Sequence, residues 1–223
     1  MKNSEKREIK GILFDMDGVL VDSEPAITRA AIEVLASDYG IAARKEDFLE
    51  FTGMGENRFI GGVVEKHGGV YTTDMKERAY ERYGEIAGEC VTVYGGVKEM
   101  LKTLSESGYK MCICSSADLV KVRINMNICG AAEYISDVIS GSEMKRTKPF
   151  PDIYLSGADR IGLPPENCVV VEDAVSGVKA GKAAGCRVVA VTTSFPKEEL
   201  LAAGADAVTD RISALPEIIK TLQ

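Results

Sequence analysis

The chain has 223 residues, of which 45% are hydrophobic and 27% are charged, a balance that is typical of a compact globular protein and excludes general disorder. Its formal net charge of -7 works against binding to a phosphate backbone, so we expect no nucleic-acid partner. The polar N-terminus leads into one short apolar run, IKGILF, which is too short for a signal peptide or a membrane span. We therefore expect a cytoplasmic protein with no membrane partner. We also expect a monomer.

The histidine and cysteine content narrows the possible chemistry. His67 is the single histidine. The sequence therefore gives little support for a Ser-His-Asp triad, a Cys-His dyad or a polyhistidine metal site. The glycines at 68 and 69 follow it, and this arrangement is typical of the end of a helix. The six cysteines form no CxxC pair and several lie in apolar runs, so we expect reduced, buried thiols.

Five apolar runs predict β-strands, and these runs are continuous rather than alternating. In chain order they cover residues 11–14, 110–114, 134–139, 168–171 and 187–191. Continuous apolar character indicates strands that are covered on both faces, as in a parallel sheet that lies between helices. The sequence therefore predicts an α/β fold with a doubly wound parallel sheet.

The sequence between the first and second of these runs predicts successive helices. The helical segments are AITRAAIEVLASDYG, EDFLEF, ENRFIGGVVEKHG and TTDMKERAYERYGEIAGE, with no convincing strand among them. We expect residues 23–95 to form an inserted all-α cap, and residues 1–22 and 96–223 to form the α/β core. Later in the core, Pro151 marks the start of one helix and Gly185 is a natural C-cap for another.

Polar residues follow several predicted strands at the point where each strand ends. Asp15 and Asp17 come directly after the first strand, and an ordinary strand-end turn accounts for one of these carboxylates but not comfortably for both. The other polar residues near strand ends are Ser115, Ser116, Lys148, Glu172 and Asp173. Because the carboxyl ends of the strands converge on the crevice where ligands bind in such a sheet, we expect these residues to meet there.

Several carboxylates in one crevice repel one another unless a cation lies among them. Oxygen ligands without histidine or thiolate suit a hard ion, so the sequence predicts a Mg²⁺ site. Together with Lys148 and the hydroxyl groups, this set supplies what phosphoryl transfer needs: a cation, donors for phosphate oxygens and a nucleophile. Two simpler interpretations remain, because Ser115 alone could cap a helix and Lys148 alone could be a solvated loop charge.

Four segments together resemble the motifs of the haloacid dehalogenase superfamily, in that family's order. The segments are DMDGVLVDSE, CSS after a strand, TKPFPDIYL and VVVEDAVSGVKAGKAAG. Their joint occurrence is specific, whereas the DxD motif alone would be weak. The helical insert resembles the small cap of the beta-phosphoglucomutase and phosphoglycolate phosphatase branch. The resemblance implies a Mg²⁺-dependent phosphatase that acts on a small phosphorylated metabolite.

The resemblance also implies a catalytic role for four residues. Asp15 resembles the nucleophile that attacks phosphorus and forms an aspartyl phosphate. Asp17 resembles the general acid and base, which protonates the leaving alcohol and then deprotonates the hydrolytic water. Ser115 matches the hydroxyl that holds a phosphoryl oxygen, and Lys148 matches the cation that stabilises the nucleophile and the phosphate.

The magnesium ligands and the substrate contacts follow from the same resemblance. The implied metal-binding residues are Asp15, Asp17 through its backbone carbonyl, Glu172 directly or through water, and Asp173. A glycine-containing turn in the cap resembles the substrate-specificity loop of this cap type, and a plain interhelical loop is the alternative interpretation. The candidate substrate-binding residues are Ser116 in the core and Thr52, Gly53, Glu56, Asn57 and Arg58 in the cap.

Other activities stay open on the sequence alone. Halogen-displacing members of the superfamily lack the second aspartate, so Asp17 favours phosphoryl chemistry. Sugar phosphate mutases of the beta-phosphoglucomutase type keep a cap histidine and a cap lysine where this chain has Ile27 and, nearby, Thr52, so a mutase is the less favoured alternative. A receiver-like module that accepts a phosphoryl group would lack the DxD pair. An interaction protein on an inactive scaffold has little support, because no motif residue is missing.

Overall fold

The computed structural model describes residues 8–51 and 55–222 of the chain. The strands in this part are β1 (Gly11–Phe14), β2 (Val21–Asp22), β3 (Thr92–Val93), β4 (Lys110–Ser115), β5 (Asp137–Ser140), β6 (Cys168–Glu172), β7 (Arg187–Val191) and β8 (Ala207–Thr209). The α-helices are α1 (Glu24–Tyr39), α2 (Lys45–Phe48), α3 (Glu56–Lys66), α4 (Thr73–Cys90), α5 (Val97–Glu106), α6 (Leu119–Cys129), α7 (Asp152–Arg160), α8 (Val175–Ala183), α9 (Lys197–Ala202) and α10 (Leu215–Leu222). Among these helices, none has both the length and the apolar character that crossing a bilayer requires.

Six strands form one parallel sheet in the order β5-β4-β1-β6-β7-β8, which confirms the predicted α/β class. The central strand β1 pairs with β4 on one side and β6 on the other, so that Phe14 lies opposite Ile113 and Val171. All residues of β1 and β6 are buried, as their continuous apolar sequences predict. This order places the ends of β4, β1 and β6 side by side at one edge of the sheet.

Alternate side chains along the strands lie on opposite faces of the sheet. Ile12 and Phe14 pack in a buried cluster on one face, whereas Leu13 packs with Cys112 and Tyr154 in a cluster on the other. The prediction of buried thiols is confirmed for most of the cysteines: all six are free, five are buried and Cys90 is half-buried. The sheet is therefore held rigidly from both sides, and its edge can position polar groups.

The helical insert has a hydrophobic cluster of its own. Buried side chains from α1, α3 and α4 form this cluster, and Ile124 and Ile128 of α6 pack against it. The short strands β2 and β3 pair antiparallel at its two ends, with Val21 opposite Val93. The boundaries of the cap at residues 23 and 95 stay a prediction.

Several predicted elements differ from the observed ones in their bounds. The strand predicted for residues 134–139 begins only at Asp137, because residues 131–133 form a 3₁₀ turn and the Ile135 amide donates to the Ala131 carbonyl. The expectation of no strand in the insert is wrong for β3. The helix C-cap is Ala184, and Gly185 follows it with a positive φ of 87°. His67 caps α3, as predicted.

Candidate active site

Three carboxylates lie together at the carboxyl edge of the sheet. One oxygen from each of Asp15, Glu172 and Asp173 lies within 4.8 Å of the other two. Asp15 directly follows β1, and its amide donates to the Val171 carbonyl of β6 at 2.9 Å. Glu172 is the last residue of β6 and Asp173 follows it. The parallel pairing of β1 with β6 therefore brings the two strand-end motifs into one cluster.

Lys148 connects two members of this cluster. Its Nζ donates to Asp15 Oδ1 at 2.8 Å and to Glu172 Oε1 at 2.6 Å, and its side chain is only 8% exposed. The interpretation of Lys148 as a solvated loop charge is therefore wrong. Glu172 Oε1 also accepts from the Tyr154 hydroxyl at 2.7 Å. Its other oxygen accepts from the backbone amides of Asp173 and Ala174.

Burial and mutual repulsion set the pKa values of these carboxyl groups. Burial raises the pKa of Asp15 to about 7 against the opposing charge of Lys148, and the charge of Glu172 adds to the rise. Burial also raises the pKa of Asp173, together with the charges of Glu172 and Asp15. Burial opposes the charge on Glu172 as well, but Lys148 and the hydrogen bonds to this carboxylate lower its pKa.

The donor set of this cluster fits a divalent cation. Lys148 supplies only one positive charge for three carboxylates. Because removal from water makes an unpaired carboxylate costly, the cluster needs further positive charge. All the ligand atoms are oxygens, which hard cations such as Mg²⁺ prefer. Gly18 leaves room for Asp173, because a Cβ at position 18 would lie 1.9 Å from Asp173 Oδ2. The cluster could therefore hold a metal ion.

The carboxylate of Asp17 has a separate set of partners. Its Oδ1 accepts from the Ser23 hydroxyl and, at 3.4 Å, from Asn125 Nδ2. Its Oδ2 accepts from Lys121 Nζ at 3.2 Å. This carboxylate does not belong to the three-carboxylate cluster. Its assignment as a metal ligand through the backbone carbonyl stays a prediction.

The two serines after β4 are placed differently. Ser115 is the last residue of β4, is buried, and accepts from the Ala117 amide at 3.2 Å. It does not cap the following helix, because α6 begins at Leu119 with Asp118 at its N-cap. Ser116 is half-buried and packs its backbone against Gly141, where a Cβ would lie 2.0 Å from the Ser116 carbonyl oxygen. Their contacts with a phosphoryl group and a substrate stay predictions.

The candidate residues of the cap loop have different surroundings. Glu56 begins α3 and lies beside the core, where its Oε1 accepts from Lys121 Nζ at 3.3 Å. Burial raises the pKa of Glu56 against the charge of Lys121, and Asp17 adds to the rise. Asn57 accepts from the Tyr71 hydroxyl, and Arg58 pairs with Glu65 of its own helix. Thr52 and Gly53 lie outside the described residues.

Five residues of the site were given no role from the sequence, and one of them, Ser23, donates to Asp17 from the end of the first motif. Lys121 and Asn125 lie one turn apart on α6 and both reach Asp17. Polar residues occur at every second position from 121 to 127 in this segment, LVKVRINMNIC, so the sequence does not show which of them face inward. Tyr154 donates to Glu172, and the Ser194 hydroxyl donates to Asp173. Tyr154 lies in the motif TKPFPDIYL, although the motif did not indicate a role for it, and no motif contains Ser194.

The sequence profile of the haloacid dehalogenase-like hydrolase family matches residues 9–185 of the chain. The chain is 36% identical over 189 residues to hexitol phosphatase A of Escherichia coli, and the match covers 82% of each protein. It is also 36% identical over 210 residues to SUPPRESSOR OF QUENCHING 1, a chloroplastic protein of Arabidopsis thaliana. That match covers 92% of this chain but spans only 20% of the plant protein.

A solved structure shows the same architecture over nearly the whole chain. The crystal structure of CbbY from Rhodobacter sphaeroides in complex with phosphate superimposes with a TM-score of 0.82 at 26% sequence identity. The superposition covers 93% of this chain and 96% of CbbY. The helical insert and the sheet are therefore arranged in this chain as they are in that protein.

Proposed function

The chain belongs to the haloacid dehalogenase-like hydrolase family, and we propose that it is a Mg²⁺-dependent phosphatase that hydrolyses a small phosphate monoester. The observation that carries this proposal is the bridge that Lys148 makes between Asp15 and Glu172 beside Asp173. A buried nucleophile, a fixed cation and a metal-binding carboxylate pair are the parts that phosphoryl transfer requires. The hexitol phosphatase relative supports the same class of reaction.

In the proposed reaction, Asp15 attacks phosphorus and forms an aspartyl phosphate while the bond from phosphorus to the leaving oxygen breaks. Lys148 holds the attacking carboxylate in place and stabilises the charge on the phosphoryl oxygens. Asp17 gives a proton to the leaving alcohol and then takes one from the water that hydrolyses the intermediate. Bound to Asp15, Glu172 and Asp173, Mg²⁺ would supply charge that keeps Asp15 ionised and neutralises the phosphate.

The placement of Ile27 supports a phosphatase over a sugar phosphate mutase. Ile27 is 3% exposed and belongs to the hydrophobic cluster of the insert, so it offers no polar group to hold a phosphorylated intermediate. Thr52, the other residue on which this distinction depends, lies outside the described residues. Water is therefore the acceptor that we propose.

Replacement of the nucleophile tests the proposed function. Asp15→Asn keeps the shape of the side chain but removes the attacking charge, so phosphate release should fall to the background rate. Incubation of the unmodified protein with p-nitrophenyl phosphate and Mg²⁺, followed by acid quenching, should add one phosphoryl group to its intact mass. The exposed Asp210→Asn serves as the matched control and should retain full activity. Substantial turnover by Asp15→Asn would contradict the mechanism.

A further inference from the structure

The side of the site that faces the helical insert carries an excess of negative charge. Asp17 and Glu56 share a single ammonium group, since Lys121 Nζ lies 3.2 Å from the first carboxylate and 3.3 Å from the second. With both carboxylates ionised the formal charge is one negative, and it is zero while Asp17 holds the proton that it donates, so no net positive charge faces the leaving group in either state. The side chains of Lys121 and Glu56 are only 7% and 11% exposed and that of Asp17 is 33% exposed, so solvent screens the charge of Glu56 most weakly. We refer to these three residues as the junction.

The cations on the neighbouring helices do not neutralise the junction. In the described part of the chain, every lysine and arginine of α3 and α4 is paired with a carboxylate: Arg58 with Glu65, Lys66 with Glu50, Lys76 with Asp118, Arg78 with Asp38, and Arg82 with Glu33. Arg123 lies two residues from Lys121 on α6, which places it about half a turn away on another face of the helix. Residues 52–54 lie outside the described part of the chain, and their sequence, Thr-Gly-Met, contains no ionisable side chain.

The leaving group of the proposed reaction must lie beside this junction. A general acid acts within hydrogen-bond reach of the oxygen that it protonates. The Asp17 carboxylate contacts Ser23, Lys121 and Asn125, none of which belongs to the three-carboxylate cluster. A phosphoryl group at Asp15 therefore directs the rest of its substrate toward Asp17, Lys121 and Glu56.

We propose that the junction selects phosphate monoesters whose leaving group is uncharged and rich in hydroxyls, and rejects those that carry a second anionic group. The proposal rests on the proposed phosphatase function and names its substrate class. Hydroxyl groups can donate to Glu56 and accept from Lys121, whereas a carboxylate or a second phosphate would be placed beside Glu56 with no net positive charge to offset the repulsion. Repulsion between like charges in a water-poor site is an effective way to reject the wrong ligand.

Two matched pairs of substrates test this selectivity. Glycerol 3-phosphate and 3-phosphoglycerate differ only in a hydroxymethyl group against a carboxylate, and 2-hydroxyethyl phosphate and phosphoglycolate differ in the same way. We expect kcat/KM to be at least about tenfold higher for the uncharged member of each pair, which corresponds to about 1.4 kcal/mol. Equal values, or a preference for the carboxylates, would overturn the proposal.

Substitutions at the junction should change this ratio in opposite directions. Glu56→Gln removes a negative charge and should lower the preference for the uncharged substrate, whereas Lys121→Met removes the positive charge and should raise it. Lys121→Arg keeps the charge and should retain the wild-type ratio. Glu81→Gln, at an exposed site on α4 that takes part in none of the ion pairs named above, is the control and should not alter it.

The opposite signs separate selectivity from a structural role. Glu56→Gln and Lys121→Met break the same ion pair, so a purely structural effect would move the ratio in the same direction in both variants or not at all. Either result overturns the proposal. A general loss of activity does not change the ratio of the two kcat/KM values, because both substrates are measured with the same enzyme. If Lys121→Met does not fold, Glu56→Gln measured against Lys121→Arg and Glu81→Gln decides the question. The phosphatase function fails separately, if neither these esters nor p-nitrophenyl phosphate releases phosphate with Mg²⁺.

Discussion

Two buried lysines carry out comparable electrostatic tasks in the two halves of the site. Lys148 bridges Asp15 and Glu172, and Lys121 bridges Asp17 and Glu56. Burial alone would lower the pKa of each lysine, but the adjacent carboxylates raise it in both cases. Each lysine therefore stays charged and fixes the carboxylate that the mechanism uses.

The metal requirement is a prediction that belongs to single residues. Excess chelator should abolish phosphate release, and added Mg²⁺ should restore it, because three clustered carboxylates, two of them buried, need more positive charge than Lys148 supplies. Asp173→Ala should raise the Mg²⁺ concentration for half-maximal activity by about tenfold or more. Titration of activity with Mg²⁺ checks both results, with Asp210→Ala as the control. Full activity in excess chelator would show that the cluster is not a metal site.

The role of Asp17 as an acid can be separated from its role in binding Lys121 and Ser23. Asp17→Asn keeps a hydrogen-bond acceptor for both groups but cannot transfer a proton, so hydrolysis of alkyl phosphates should slow by about 10² to 10⁴-fold. The release of p-nitrophenol in the first turnover should be much less affected, because this leaving group needs no protonation. Rapid-quench measurement of that first turnover distinguishes the two steps. An equal loss with both substrates would exclude the acid role.

At the scale of elements, the strand ends were predictable and the helix-borne partners were not. The acidic residues at the ends of β1 and β6 are recognisable in the sequence because charged side chains are not expected beside buried apolar strands. The order of the strands in the sheet then brings these residues together. Lys121 and Asn125 lie on a helix, where a polar residue is ordinarily solvent-exposed. The packing of α3, α4 and the residues after β1 against α6 makes them buried, and no pattern within α6 specifies that packing.

The start of α8 gives a prediction about how a helix supports the acidic cluster. Gly177 packs so closely against Glu172 that a Cβ would lie 1.7 Å from its Oε1, so Gly177→Ala must displace this carboxylate and the Lys148 contact. We expect a free energy of unfolding lower by about 1 to 3 kcal/mol and weaker Mg²⁺ activation.

Gly88 of α4 supplies the matched control for this substitution. A Cβ at position 88 meets nothing within 4 Å, so Gly88→Ala should stabilise the protein by about 0.5 to 1 kcal/mol through its better helix propensity. Urea unfolding and Mg²⁺ titration of both variants provide the comparison. Equal effects of the two substitutions would show that the close packing at Gly177 is unimportant.

At the scale of the whole molecule, one face of α6 joins the helical insert to the sheet. Asp118 at its N-cap pairs with Lys76 at 2.6 Å, Lys121 pairs with Glu56, and Asn125 accepts from the Tyr83 hydroxyl. Residues 118, 121 and 125 are three and four positions apart, so they lie on one face of the helix. Through this face the helical insert contacts Lys121 and Asn125, the two α6 residues that bind Asp17.

Tyr83 tests whether this connection contributes to both stability and activity. Tyr83 and Asn125 are fully buried, so Tyr83→Phe leaves the Asn125 carbonyl oxygen without this donor and should lower the free energy of unfolding by about 1 to 3 kcal/mol. Because Asn125 also donates to Asp17, turnover should fall as well. Tyr39→Phe removes a comparable but exposed hydrogen bond to Asp74 and should change stability by less than about 0.5 kcal/mol. Urea unfolding followed by circular dichroism, with phosphate release measured on the same samples, checks both effects. If Tyr83→Phe behaves like Tyr39→Phe in both measurements, the polar face of α6 does not couple the insert to Asp17.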